Sequence, residues 1–197
     1  MGGCPWGTWV GMDWPCFVRV FNPAKAHDDS PVRWAELSPG VDLARASWES
    51  LTGRRWQSDN PGSFPVHEPD EGADSHNSRV PLMQVLLERA TGAVSVGQWD
   101  GYCLPRPEGS RHVVINGGHR GYFVVEVTPE LGRALTEPAD PPVLPNRVWD
   151  EGGTFLVDAD TDLPSIIVGC TAQIAAAIEA EPRLECVRVN PHDPIQV

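Results

Sequence analysis

Residues 148–189, VWDEGGTFLVDADTDLPSIIVGCTAQIAAAIEAEPRLECVRV, decide the fold. Thr154 to Asp158 has the apolar, β-branched character of a strand, and Ser165 to Gly169 has it again. The acids and proline between Asp160 and Pro164 supply the turn that joins them. Thr171 then stands where a helix N-cap belongs, ahead of AQIAAAIEA, and Ile174, Ala177 and Ile178 share one helical face. Pro182 stops that helix, and Leu184 to Val189 alternates as a short closing strand. Two strands, a capped helix and a strand within one stretch indicate an α+β fold rather than a helical bundle.

Working outward, Ala93 to Trp99 reads as a strand ended by the turn signal Asp100-Gly101. Arg111 to Ile115 and Gly121 to Val127 flank Asn116-Gly117-Gly118-His119 and predict a hairpin. In GYFVVEV both alternate sets are mainly apolar, which predicts a central strand covered on both faces. Val80, Met83, Leu86 or Leu87 and Ala90 recur at helical spacing over residues 80–90, with Pro81 suited to the first turn and Gly92 to the end. Near the N-terminus CFVRVF, residues 16–21, is a strand ended by Asn22-Pro23. Residues 32–52 are weakly helical in two pieces broken at Pro39-Gly40, and residues 57–79 are too polar to order alone, so they predict a long exposed loop. The expectation is one domain over residues 1–197: a largely antiparallel sheet of about five or six strands with two principal helices.

Charge narrows the partners. The formal net charge is −12, with 27 acidic against 15 basic residues, of which Lys25 is the lone lysine. Phosphate backbones are bound by excess Lys and Arg, so nucleic acid is not expected. A basic protein partner is, because complementary fields steer encounter. No apolar run approaches the roughly 20 residues of a membrane span. The first residues lack the basic start and apolar core of a secretory signal, so the expected setting is cytoplasmic. The five cysteines, Cys4, Cys16, Cys103, Cys170 and Cys186, include no CxxC pair and are expected to be reduced, with Cys170 and Cys186 as small core residues.

Motifs for catalysis are absent. Asp158, Asp160 and Asp162 alternate as in a calcium loop, but the positions that need Gly and a bidentate Glu hold Leu163 and Gly169. His27, His67, His76, His112, His119 and His192 form neither HxH nor HExxH, so no metal and no cofactor is expected. There is no GxSxG elbow, and INGGHRG lacks both the spacing and the Lys of a phosphate cradle. Eight tryptophans remain, and aromatics serve either as core or as binding hot spots. Trp99 and Trp149, beside strands, are read as core or edge packing, while Trp6, Trp9 and Trp14 are dense enough to dock on the body or form a contact surface. The candidate binding residues are Trp99, Asp100, Tyr102, Arg147, Trp149, Asp160 and Asp162, aromatic and polar groups that flank turns at strand ends.

FVRVFNPA at 17–24, DDSPVRWAEL at 28–37, WDGY at 99–102, PNRVW at 145–149, DTDLPSIIVG at 160–169 and EPRLECVRV at 181–189 occur in an order that resembles a family of actinobacterial hypothetical proteins with no established activity. The resemblance covers most of the chain outside the first ten residues or so and the 57–79 loop. Arg147-Val148 stand where that family tends to have Leu-Trp, and Ile166-Ile167 where it tends to have Thr-Tyr. It implies homology and a cellular setting, not a mechanism. The residues themselves point first to a non-catalytic binding protein, in one version an acidic immunity-type protein. A second reading is a hydrolase using Asp158, Asp160 or Asp162 with His112, His119 or a divalent metal. A third is a small-molecule module lined by Trp34, Trp99, Tyr102 and Trp149.

Overall fold

The computed structural model describes residues 5, 7–53, 66–69, 76–102, 104–115, 120–130, 145–160 and 162–194. In chain order the elements are α1 (Gly7–Val10), β1 (Cys16–Phe21), β2 (Ala24–Lys25), β3 (Pro31–Val32), α2 (Trp34–Leu37), α3 (Trp48–Thr52), α4 (His76–Leu87), β4 (Val94–Trp99), a 3-10 turn (Asp100–Tyr102), β5 (Arg111–Ile115), β6 (Arg120–Val127), β7 (Arg147–Asp150), β8 (Phe155–Asp158), β9 (Ser165–Cys170), α5 (Ala172–Glu179) and β10 (Cys186–Arg188).

Eight strands form one sheet in the order β10-β1-β9-β8-β7-β4-β6-β5, and every neighbouring pair is antiparallel. The class is therefore the α+β expected. The sheet is larger than expected: β7, which adds a third strand to the meander β7-β8-β9, is the unexpected member, while β10 beyond β1 is the closing strand predicted over Leu184 to Val189. Asp150 makes the β7–β8 turn: its carboxylate accepts from the Thr154 N–H at 2.7 Å, the Thr154 hydroxyl at 2.7 Å and the Thr91 N–H at 3.0 Å. Strands β2 and β3 form a separate small ribbon.

Alternation along the strands gives the sheet two different faces. One carries Val18, Val20, Val94, Val96, Val148, Phe155, Val157, Ile166 and Val168, packed against Leu82 and Leu86 of α4 and Ile174 and Ile178 of α5. At about 1.5–3 kcal/mol per fully buried large apolar side chain, this layer dominates the stability. Thr171 caps α5 as its sequence predicts, accepting from the Ile174 N–H. The opposite face carries Phe17 and Ile167, and Trp9, Val10 and Trp14 of the N-terminal segment lie over it. A smaller core follows, built from Phe21, Ala24, Trp34, Ala46, Trp48 and Val66. Fully buried Arg19 joins it to the sheet, donating to the Ala46 carbonyl at 2.6 Å and to Ser165 Oγ at 3.1 Å, with its guanidinium 4.4 Å from the Phe21 ring centre. Burial pushes this guanidinium down, to about 9.

Three local expectations need correction. GYFVVEV does not lie at the centre: β6 is second from the edge, covered beyond by β5 alone, and its burial is partial. The exposed loop over 57–79 does not extend to Arg79, because α4 begins at His76 and buries Ser78 and Arg79, and Val66 ahead of it is buried in the smaller core. Most of that loop, residues 57–65 and 70–75, lies outside the described residues. Pro81 consequently sits inside α4 rather than in its first turn. Cys16, Cys170 and Cys186 are free thiols, and burial pushes Cys170 up to about 12 and Cys186 to about 11, which keeps both protonated. Cys4, Cys103 and Trp6 lie outside the described residues. No helix among the described residues is long and apolar enough to cross a membrane.

Candidate functional site

Register brings most of the predicted residues to one face of the sheet. Tyr122 of β6 lies opposite Trp99 of β4, Gly97 opposite Arg147, and Arg147 opposite Asp158. Arg147 and Asp158 are thus a directly opposed cross-strand pair. The Arg147 guanidinium donates to Asp158 Oδ2 at 2.5 Å and to the Trp9 carbonyl at 2.9 Å, which ties the N-terminal segment to the sheet. Asp158 is buried, and desolvation raises its carboxyl to about 7 against the lowering charge of Arg147. Its second oxygen, Oδ1, and the Trp9 indole N–H have no partner among the described residues. Burial, and after it the Asp158 charge, also pushes the Tyr122 phenol above its ordinary value.

The other acids of the turn close around Arg120, at the start of β6. Its guanidinium donates to both oxygens of Asp160, at 2.9 and 3.1 Å, and to Asp162 Oδ2. Asp160 Oδ1 also accepts from the Asp162 N–H at 2.9 Å, the local turn that the DADTDLP pattern calls for. Burial pulls the Arg120 guanidinium down, but Asp160 and then Asp162 outweigh it and hold the charge firmly. The same guanidinium lies 5.2 Å from the Trp99 ring centre, and the Trp99 and Tyr102 rings meet edge to face at 5.3 Å. Gly101 makes that possible, since a Cβ there would stand 2.2 Å from the Trp99 ring. Buried Asn146 fastens the group: its Oδ1 accepts from the Trp99 N–H at 3.0 Å, while its Nδ2 donates to the Tyr102 hydroxyl at 3.0 Å and the Ala159 carbonyl at 3.2 Å.

Of the seven predicted binding residues, Trp99, Tyr102, Asp160 and Asp162 therefore converge, and Arg147 stands one strand away. Asp100 does not join them. It lies 2.8 Å from His112 Nε2, over Gly121, on the face of β5 and β6 that bears Phe123. Trp149 is half-buried in β7 opposite Leu156 and Ser95 and contributes no ring contact among the described residues. The hydrolase reading needs Asp158, Asp160 or Asp162 beside His112, and these stand on opposite faces of the sheet; His119 lies outside the described residues. No group of three metal-ligating side chains occurs among the described residues. Trp34 is fully buried in the smaller core, so it does not share a surface with Trp99, Tyr102 and Trp149.

Arg120, Asn146 and Tyr122 were not legible as site residues. Arg120 follows a glycine-rich turn and reads as a solvated strand end; the pairing across the sheet gives it a role. A second feature also escapes the sequence: a cleft of about 480 Å³ between β3–α2, the first turns of α4 and residues 183–185, lined by Phe21, Pro23, Pro31, Val80 and Pro81 with Arg33, Glu36, Asn77, Ser78, Arg183 and Glu185. Glu185 fixes its wall, accepting from the Trp34 and Ala35 N–H groups at 2.6 and 2.8 Å. Burial raises the Glu185 carboxyl, and these two amides work against that rise. Compared with family models, with curated proteins and with solved structures, the chain matches none.

Proposed function

We propose that this chain is a non-catalytic binding protein, of the acidic immunity type, that engages a basic protein through the surface formed by Trp99, Tyr102 and Asp162. The observation that carries the reading is the edge-to-face Trp99–Tyr102 pair beside Asp162, whose side chain is 67% exposed, on a chain of net charge −12. Aromatic anchors held rigid from behind, next to an exposed charge, are the chemistry of protein-binding hot spots. Asn146 and Arg120 supply the rigidity here, so little side-chain entropy is lost on contact. The carboxylates nearest the patch support the reading as well: Asp158 and Asp160 are buried and each is engaged by an arginine, which suits a framework better than proton transfer.

The test is affinity capture on the native chain at two ionic strengths, with the retained protein identified and its dissociation constant measured. The expected result is a stoichiometric basic partner whose affinity falls as salt rises. Trp99→Ala and Asp162→Lys should each weaken it about tenfold or more, the latter without unfolding because Arg120 keeps Asp160. Absence of a stoichiometric partner, or affinity indifferent to both substitutions, overturns the reading.

A further inference from the structure

The cleft beside α2 lies at the β1–β10 side of the sheet, away from the Trp99 patch, and the proposed function leaves it unused. Its volume of about 480 Å³ is within the range of small-molecule sites, roughly 300–1,000 Å³. Its apolar side is stiff: Pro23, Pro31 and Pro81 have φ locked by their rings, and Phe21 and Val80 line it with them.

The polar side sorts into groups that are spent and groups that are free. Arg183 is spent on Glu181 at 2.7 and 2.9 Å and on Gln84 at 2.9 Å. Both oxygens of Glu185 are spent on the α2 amides. Ser78 donates to Asn22. Arg33 gives one nitrogen to the Pro182 carbonyl and has no ion pair among the described residues. The Glu36 carboxylate has no ion pair or hydrogen bond among the described residues, although it lies three positions from Arg33, the spacing at which opposite charges on a helix can meet. Both line the cleft, and both charges lie within electrostatic reach of the Glu185 carboxyl. Pro81 adds an acceptor. Having no N–H, it leaves the carbonyl of Asn77, four residues earlier and on the cleft wall, without its helical partner.

We propose that this cleft binds a small zwitterion with an apolar body, an apolar α-amino acid, with its carboxylate on Arg33, its ammonium on Glu36 and the Asn77 carbonyl, and its side chain against the proline wall. The guanidinium donors of Arg33 that the Pro182 carbonyl does not take match one carboxylate. One free carboxylate and one carbonyl without its i+4 helical partner match the donors of an ammonium. A phosphate dianion does not fit this balance, because Glu36 and Glu185 repel it.

The test uses the backbone amide resonances of Trp34 and Ala35, which the Glu185 carboxylate holds at the cleft wall. The native chain is titrated with a mixture of L-valine, L-leucine, L-isoleucine, L-methionine and L-phenylalanine, then with the N-acetylated mixture and the amide mixture. The expected result is a saturable shift with the free amino acids, and affinity at least about tenfold weaker for both blocked mixtures, a loss of about 1.4 kcal/mol. Arg33→Ala and Glu36→Gln should each abolish the shift, and the Glu36 variant decides if the Arg33 variant loses its fold, since the Glu36 side chain holds nothing. An N-acetyl mixture that binds as well as the free one means a simple anion site and overturns the proposal. So does the absence of a shift with every mixture, whatever becomes of the protein partner at the Trp99 surface.

Discussion

Asp158 brings a carboxylate to a position where its side chain is 1% exposed and gives it one guanidinium for two oxygens. Desolvation wins over Arg147, and the group is raised to about 7 in the folded chain, from about 3.9 when unfolded. The folded state therefore binds this proton more tightly. The stabilisation that protonation confers is complete below about pH 4 and is lost as pH rises through about 7, with a slope of up to about 1.4 kcal/mol per pH unit. Asp158→Asn removes the titrating group while keeping an oxygen for Arg147. The variant should lose that slope between about pH 4 and 7, read as urea unfolding free energies across the range; an unchanged slope would show that other groups carry it. None of this is visible in DADTDLP, where the three acids look alike. The chain makes them different by placing Asp158 inside, opposite Arg147, leaving Asp162 largely in water, and clamping Asp160 between.

Elements whose signal is local were legible, and elements defined by partners were not. Strand β1 coincides with CFVRVF, and α5 follows Thr171 because cap, apolar face and stop all lie within the segment. Strand β7 has four residues and no pattern of its own, so only β4 and β8 on either side define it. The position of β6 is not legible for the same reason: apolar content on both faces predicts burial, whereas its place in the sheet depends on β5 closing that edge. Packing between elements is tight where Trp14 lies on β9. A Cβ added at Gly169 would stand 2.3 Å from Trp14 Cδ1, inside van der Waals contact. Gly169→Ala should cost about 1–3 kcal/mol, as overpacking does, and should shift the tryptophan emission as the Trp14 ring lifts from the sheet. Thermal unfolding with fluorescence detection checks both, and an unperturbed spectrum at native stability would show that the N-terminal segment is not seated there.

Across the whole molecule the α+β class came from the C-terminal stretch, while the site came only from tertiary pairing. Trp99 with Tyr102, and Asp160 with Asp162, are near neighbours in the chain and could be nominated from it. Their union through Arg120 and Asn146 needs the β4–β6 and β4–β7 pairings, which leave no short-range trace in the sequence. The sheet order carries a long-range demand as well. Strand β1 lies between β9 and β10 in the main sheet, and Arg19 reaches Ser165 across 146 positions of sequence. A chain ending after Asp150 should leave the β1 amides open to hydrogen exchange that the full chain resists; protection of those amides in the shortened chain would mean that β1 orders without them. During synthesis at roughly 5–20 residues per second, CFVRVF waits on the order of 7–30 s for its neighbours to leave the ribosome. For that interval a bare, sticky ribbon trails from the nascent polypeptide, and a chaperone's grip on it would decide how much of each batch reaches the native state rather than a precipitate.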